Sequence, residues 1–180
     1  MKPVLLLYYS HDGQTEKIMQ FIAQQISCQL PVSTVELTNR DESINLAGYS
    51  AVLIAGGVRY GGHPKALTTW INKHSHLLTT KPTGLISVNL TARKPNRNQI
   101  DSNPYIKKWL LELNLRPDTV AVFAGALQYS KYSFLDKLLV KLIMKMTEGP
   151  TDTRQDYEFT NWQQIEEFSK NFSDLIVSQV

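Results

Sequence analysis

The chain has 180 residues, 42% of them hydrophobic and 19% charged, and a formal net charge of +3. This suits one globular domain, 1–180, with a sizeable core, and excludes a disordered segment. No run holds the roughly 20 consecutive apolar residues of a membrane-spanning helix, the lone Cys28 cannot form an internal disulfide, and the small basic excess suits an anionic partner or surface better than nucleic acid.

Met1-Lys2 leads straight into Val4-Leu5-Leu6-Leu7-Tyr8-Tyr9, without the basic, apolar and small-residue order of a signal peptide, so the cytosolic side is expected. The apolar run itself predicts a strand covered on both faces. From Gln14 to about Gln29, Ile18, Phe21, Ile22 and Ile26 recur at helical spacing until Pro31 ends the segment, and Val32 to Leu37 reads as a second strand. Ala51 to Ala55 is a third, closed by Gly56-Gly57, and Pro64 suits the first turn of a helix reaching Leu78. Gly84 to Leu90 and Val120 to Ala124 are further strands, separated by a helix from Tyr105 to Leu113. An amphipathic helix from Asn161 to Val177 closes the chain. Alternating strands and helices predict a doubly wound α/β fold, a five-stranded parallel sheet with ligand loops outside the strands' carboxyl ends.

The first of those loops is Ser10-His11-Asp12-Gly13-Gln14-Thr15. Its hydroxyls, its glycine and the free N–H groups of a helix start suit a dianionic phosphate. An ordinary helix start capped by Ser10 or Asp12 explains the same residues. The loop has no G-x-G-x-x-G and no G-x-x-x-x-G-K-[ST], so dinucleotide and nucleoside triphosphate fingerprints are absent. The histidines His11, His63, His74 and His76 lack metal-ligand spacing, and no metal is expected.

The Ser10 to Thr15 loop resembles the phosphate loop of flavodoxins. Gly57, Val58, Arg59, Tyr60 and Gly61 fall where that fold places its second flavin loop, and Val88, Asn89, Leu90, Thr91, Ala92 and Arg93 where it places its third. The resemblance implies a flavodoxin-like domain binding FMN through these residues. It narrows to the menaquinone-dependent protoporphyrinogen IX dehydrogenases, through Asp12-Gly13-Gln14-Thr15, Arg59-Tyr60-Gly61, Ser87-Val88-Asn89-Leu90, Ala92-Arg93-Lys94-Pro95, Ala124-Gly125-Ala126-Leu127, Lys141 to Met146 and Thr151-Asp152-Thr153-Arg154. Thr153 joins the FMN-binding set on this ground. Asp12 stands where flavodoxins usually carry a hydroxyl, and is expected to turn away from the phosphate as a cap on backbone N–H groups.

Residues 128–156 read as an insertion after or within strand five, with Tyr157-Glu158-Phe159 returning to the sheet. Ser133 to Met146 is helical in pattern: Lys137, Lys141 and Lys145 form one stripe, and Phe134, Leu138 and other apolar residues cover most of the remainder. Such a helix, about 20 Å long, suits either a membrane interface with anionic headgroups or burial against its own domain or a second copy of it. The resemblance favours lipid, because a membrane quinone must be reached, and implies a peripheral enzyme on the cytoplasmic side of the bacterial inner membrane.

Arg59, Arg93, Lys94 and Arg97 form a basic rim beside the expected flavin ring, solvated or pairing with the propionates of a tetrapyrrole. The resemblance implies oxidation of protoporphyrinogen IX to protoporphyrin IX in haem biosynthesis, with menaquinone or ubiquinone as acceptor. No residue must be a catalytic base; His63 and Tyr60 are the candidates nearest the second loop. Competing readings are a flavodoxin-type electron carrier, an NAD(P)H:quinone reductase of the same fold, and a flavin-free interaction domain.

Overall fold

The computed structural model describes residues 2–38 and 44–179; Met1, 39–43 and Val180 lie outside them. Five strands, β1 (Val4–Tyr9), β2 (Val32–Glu36), β3 (Ala51–Gly57), β4 (Thr83–Asn89) and β5 (Thr119–Ala124), form a parallel sheet in the order β2-β1-β3-β4-β5. Helices α1 (Gln14–Ser27), α2 (Lys65–Leu78), α3 (Pro104–Glu112) and α5 (Trp162–Ser178) cover it. The expected flavodoxin-like architecture is present, with helix and strand bounds shifted by a residue or two.

Alternation along the central strands divides the core into two layers. Leu6 and Tyr8 of β1, Leu53 and Ala55 of β3, and Val88 and Phe123 face Ile18 and Ile22 of α1 and Ile165 and Phe172 of α5. Leu5, Leu7, Ile54, Leu85 and Val122 pack on the other side with Trp70 and Ile71 of α2 and Trp109 of α3. Val4 through Leu7 are wholly buried, each such side chain contributing about 1.5–3 kcal/mol of transfer free energy. The carboxyl ends of β1 and β3 feed loops 10–13 and 58–64, which diverge where the strand order reverses.

After β5 the chain bends at Gly125, whose N–H still reaches Asn89 O at 3.4 Å. Ala126–Leu127 (β6) then pairs antiparallel with Tyr157–Glu158 (β7) as a separate two-stranded sheet. The expected return of 157–159 to the main sheet is thus corrected: the segment pairs with its own insertion, and Phe159 N–H closes on Gly125 O at 3.1 Å. Between β6 and β7 lies α4 (Phe134–Met146). Ser133 caps it by accepting from Asp136 N–H, as the Ser-x-x-Asp spacing at a helix start favours. A small third core of Leu127, Tyr129 and Met144 lies within the insertion, and Leu90 and Phe159 pack against it from the domain.

Candidate flavin site

Loop 10–13 begins α1 with a tight bend. Gly13 has φ +94, a left-handed conformation that glycine adopts without steric cost. Ser10 Oγ accepts from Gly13 N–H at 3.1 Å and Glu16 N–H at 3.3 Å, while the N–H groups of the first turn have no acceptor within the helix. The hydroxyl of Thr15 packs against β3 so closely that a Cβ on Gly57 would lie 2.8 Å from it. Gln14 is buried and turned away from the loop mouth, its amide donating to Thr160 Oγ1 at 2.8 Å. His11 is exposed.

Asp12 does not cap the helix as expected. Its carboxylate accepts from Arg59 Nη1 at 2.9 Å, so the loop's repulsive charge is neutralised by a cation from the second loop. Arg59 also reaches Asp136 of α4 at 3.5 Å, and the Tyr60 hydroxyl donates to the same carboxylate at 3.2 Å. Burial opposes the Arg59 charge, but Tyr60, Asp12 and Asp136 together raise its pKa. The second loop turns at Tyr60 and Gly61, with φ +50 and +81, and Arg59 and Gly62 exchange backbone hydrogen bonds at 3.0 and 3.2 Å.

These loops border a cavity of about 420 Å³. Asp12 and residues 58–61 form one side, and Asn89, Leu90, Thr91, Arg93 and Tyr105 another. The insertion supplies the rest: Tyr132 and Asp136 at one end, then Leu139, Val140, Ile143, Met144 and Thr147. Of the residues singled out in the sequence, Gly57, Val88 and Ala92 stand behind this wall, the last two buried. Thr153 is half-buried in the stretch after α4 and does not line the cavity. Tyr132, Asp136 and the inner face of α4 carried no sequence signal for the site. Only their position against the loops reveals them. Burial, and then the Asp12 carboxylate, push the Tyr132 hydroxyl up to about 12, so it remains protonated at neutral pH.

The basic rim holds cations of two kinds. Arg93 donates to Leu90 O at 3.0 Å and, through Nη2, to Thr147 O at 3.0 Å and Thr147 Oγ1 at 2.9 Å. It is a strut between the third loop and the end of α4 rather than a free anion partner, and burial lowers its pKa. Arg97 is exposed and donates to Ser102 O, and Lys94 is half-buried beside it.

His63 lies on the far side of the second loop, lining a smaller cavity of about 280 Å³. Its ring stacks on Trp109 at 3.9 Å, and Nε2 is 2.8 Å from Ser87 Oγ. Ser87 also accepts from Asn89, whose Oδ1 takes the amide of Asn103, the N-cap of α3. Burial holds the imidazole pKa down to about 3, so at neutral pH His63 is an uncharged packing group and a poor proton acceptor. Tyr60, the other base candidate, is exposed on the cavity rim.

The flavodoxin domain family matches residues 5–154. A protoporphyrinogen IX dehydrogenase (quinone) from Escherichia coli strain K12 is 36% identical over 171 residues, which is 95% of this chain and 94% of that protein. This chain belongs to the protoporphyrinogen IX dehydrogenase (quinone) family. A Leishmania major protein of the same name is 37% identical over 95% of this chain and 74% of its own. A flavodoxin from Streptococcus pneumonia TIGR4 shares the fold, with a TM-score of 0.56 at 13% identity over 98% of this chain and 99% of its own.

The chain is therefore an oxidoreductase built on a flavin-binding domain. Its residues fit that cofactor. At the start of α1, Ser10 takes the N–H groups of Gly13 and Glu16 and leaves those of Gln14 and Thr15 to face an anion, while Arg59 pairs with the loop's carboxylate. The adjoining cavity lies within the usual size of small-molecule sites and mixes apolar with polar walls.

The buried His63 yields a pH prediction. Its folded pKa, about 3, lies below the ordinary value of about 6.5. As pH falls below that value, the unfolded chain takes up a proton that the native chain refuses, so stability contributed above pH ~6.5 is lost. Between pH 7.5 and 5, urea unfolding should show the wild type losing roughly 1–2 kcal/mol more than His63→Phe. Equal losses in both proteins would contradict the assignment.

Proposed function

We propose that the chain oxidises protoporphyrinogen IX to protoporphyrin IX, with FMN as its flavin and a membrane quinone, menaquinone or ubiquinone, as electron acceptor. The observation that carries this reading is the cavity beside the flavin loops whose remaining wall is the apolar α4. Relatives at 36 and 37% identity bear the name of that reaction. When bound, the flavin supplies a two-electron acceptor that a quinone can reoxidise, and six electrons leave the macrocycle in three rounds.

The phosphate of FMN is assigned to Ser10, Thr15 and the backbone of His11 to Gln14. The ring is assigned between residues 57–61 and 88–93, with Thr153 on the approach from the insertion. Asp12 with Arg59, which Asp136 shares, is assigned to the junction of phosphate and ring. Lys94 and Arg97 are the cations left to pair with propionate carboxylates, since Arg59 and Arg93 are held by internal partners. Lys94→Glu with Arg97→Glu should raise the porphyrinogen KM about tenfold or more with little change in FMN affinity. An unchanged KM would remove both residues from the substrate site.

Phe134, Leu135, Leu138, Leu139, Leu142, Ile143 and Met146 of α4 are exposed, from 44 to 80%. They are seven large apolar side chains on one 13-residue helix, and five of them, Phe134, Leu135, Leu138, Leu142 and Met146, lie away from the cavity that Leu139 and Ile143 border, a patch of the kind that soluble surfaces avoid. Lys141 and Lys145 are exposed along one flank of that patch, with Lys137 half-buried ahead of them. No helix among the described residues can cross a membrane. We assign this face to a lipid interface on the cytoplasmic side of the inner membrane, with the lysines at anionic headgroups and the inner face of α4 on the cavity. Leu138→Asp with Leu142→Asp should abolish sedimentation with anionic vesicles while leaving FMN bound. If the wild type ignores vesicles and instead forms a dimer that these substitutions dissociate, a second copy covers the face and the lipid assignment fails.

The reaction itself is tested by anaerobic mixing of the flavin-loaded protein with protoporphyrinogen IX, then a menaquinone analogue. Bleaching of the flavin followed by its recovery, with porphyrin fluorescence, is expected. A flavin that stays oxidised would move the chain to the carrier class.

A further inference from the structure

We propose that Lys131, which lies in the insertion, is a cofactor-binding residue whose ammonium group contacts the 5′-phosphate of FMN. The insertion thereby closes the phosphate end of the site as well as the ring end. This rests on the FMN reading above.

Lys131 is 119 residues from the phosphate loop in sequence, yet its Nζ donates to the carbonyl of Asp12. A Cβ built on Gly13 would lie 3.2 Å from the same nitrogen. The ammonium group is thus seated at the bend that opens α1, where the first-turn N–H groups have no helical acceptor. Only one of its three protons is needed for the Asp12 carbonyl, leaving donors for a phosphate oxygen.

Its position is set by the chain around it. Tyr129 is wholly buried, and its hydroxyl donates to Pro150 O at 3.0 Å. Ser130 donates from both N–H and hydroxyl to the carboxylate of Asp156. Lys131 N–H closes the turn on Gln128 O at 3.0 Å. A lysine on so restrained a backbone loses less freedom on meeting an anion than one on a loose loop.

The nearby carboxylates already have partners. Asp12 is engaged by Arg59 through its side chain, so Lys131 meets only its carbonyl. The Asp156 carboxylate is held below the usual range first by Ser130, with Lys131 and Lys137 as weaker, longer-range contributors. A dianion at this place would meet a cation, backbone donors and the positive end of α1 together.

FMN and riboflavin share the ring and differ at the phosphate, which separates this contact from general effects on the site. Both are titrated against the full chain freed of flavin, by fluorescence quenching, in the wild type, Lys131→Met and Lys131→Arg. Lys131→Met should weaken FMN about tenfold and change riboflavin by less than twofold. Lys131→Arg should hold FMN within about threefold, and the wild-type preference for FMN should shrink with added salt. Equal weakening of both ligands by Lys131→Met, or unchanged FMN affinity, would overturn the assignment. A wild type that binds neither flavin would instead refute the cofactor reading. Tight FMN binding without oxidation of porphyrinogen would refute the substrate reading and leave Lys131 in place.

Discussion

Strand β1 is buried along nearly its whole length and lies between β2 and β3. A strand covered on both faces can carry no polar chemistry along its sides, so such chemistry is confined to the sheet's ends. The chain leaves β1 toward β2 and returns on its other side as β3, and the loops that follow β1 and β3 must part. That opening is where loop 10–13 and loop 58–64 stand. The third loop follows from the next strand, and the Ser87–Asn89–Asn103 hydrogen bonds hold it to the start of α3.

The insertion adds what that arrangement lacks. Its small core of Leu127, Tyr129 and Met144 packs against Leu90 and Phe159, and three ionic or polar contacts bind it to three different loops. Asp136 meets Arg59 of the second loop, Thr147 meets Arg93 of the third, and Lys131 meets Asp12 of the first. The helix presents Met144 and Val140 inward and a row of leucines outward. One element therefore bounds the cavity on one side and carries the exposed apolar patch on the other.

The strands and helices were legible because each depends on local pattern: near-continuous apolar runs for the strands, a 3.6-residue period for the helices. Helix α4 was legible for the same reason, while its Ser133 cap emerges only from the structure. What was hidden depends on partners distant in sequence. Nothing near Asp12 shows that Arg59, 47 residues on, will take its carboxylate. His63 reads as a titratable group beside a glycine-rich loop, and only the stacked Trp109 and the Ser87 hydroxyl reveal it as packing. Arg93 looks like an exposed cation until α4 is seen to end against it. The pairing of β7 with β6 was missed because two-residue strands carry almost no periodic signal.

The Arg93 guanidinium grips Leu90 with one nitrogen and Thr147 with the other. Hydrogen bonds of this kind tolerate displacements of only a few tenths of an ångström, so the end of α4 and the third loop behave as one mechanical body. A sideways load on the helix is delivered through that linkage to the residues lining the cavity, and stiffness gained by the helix on any surface is shared by the loop.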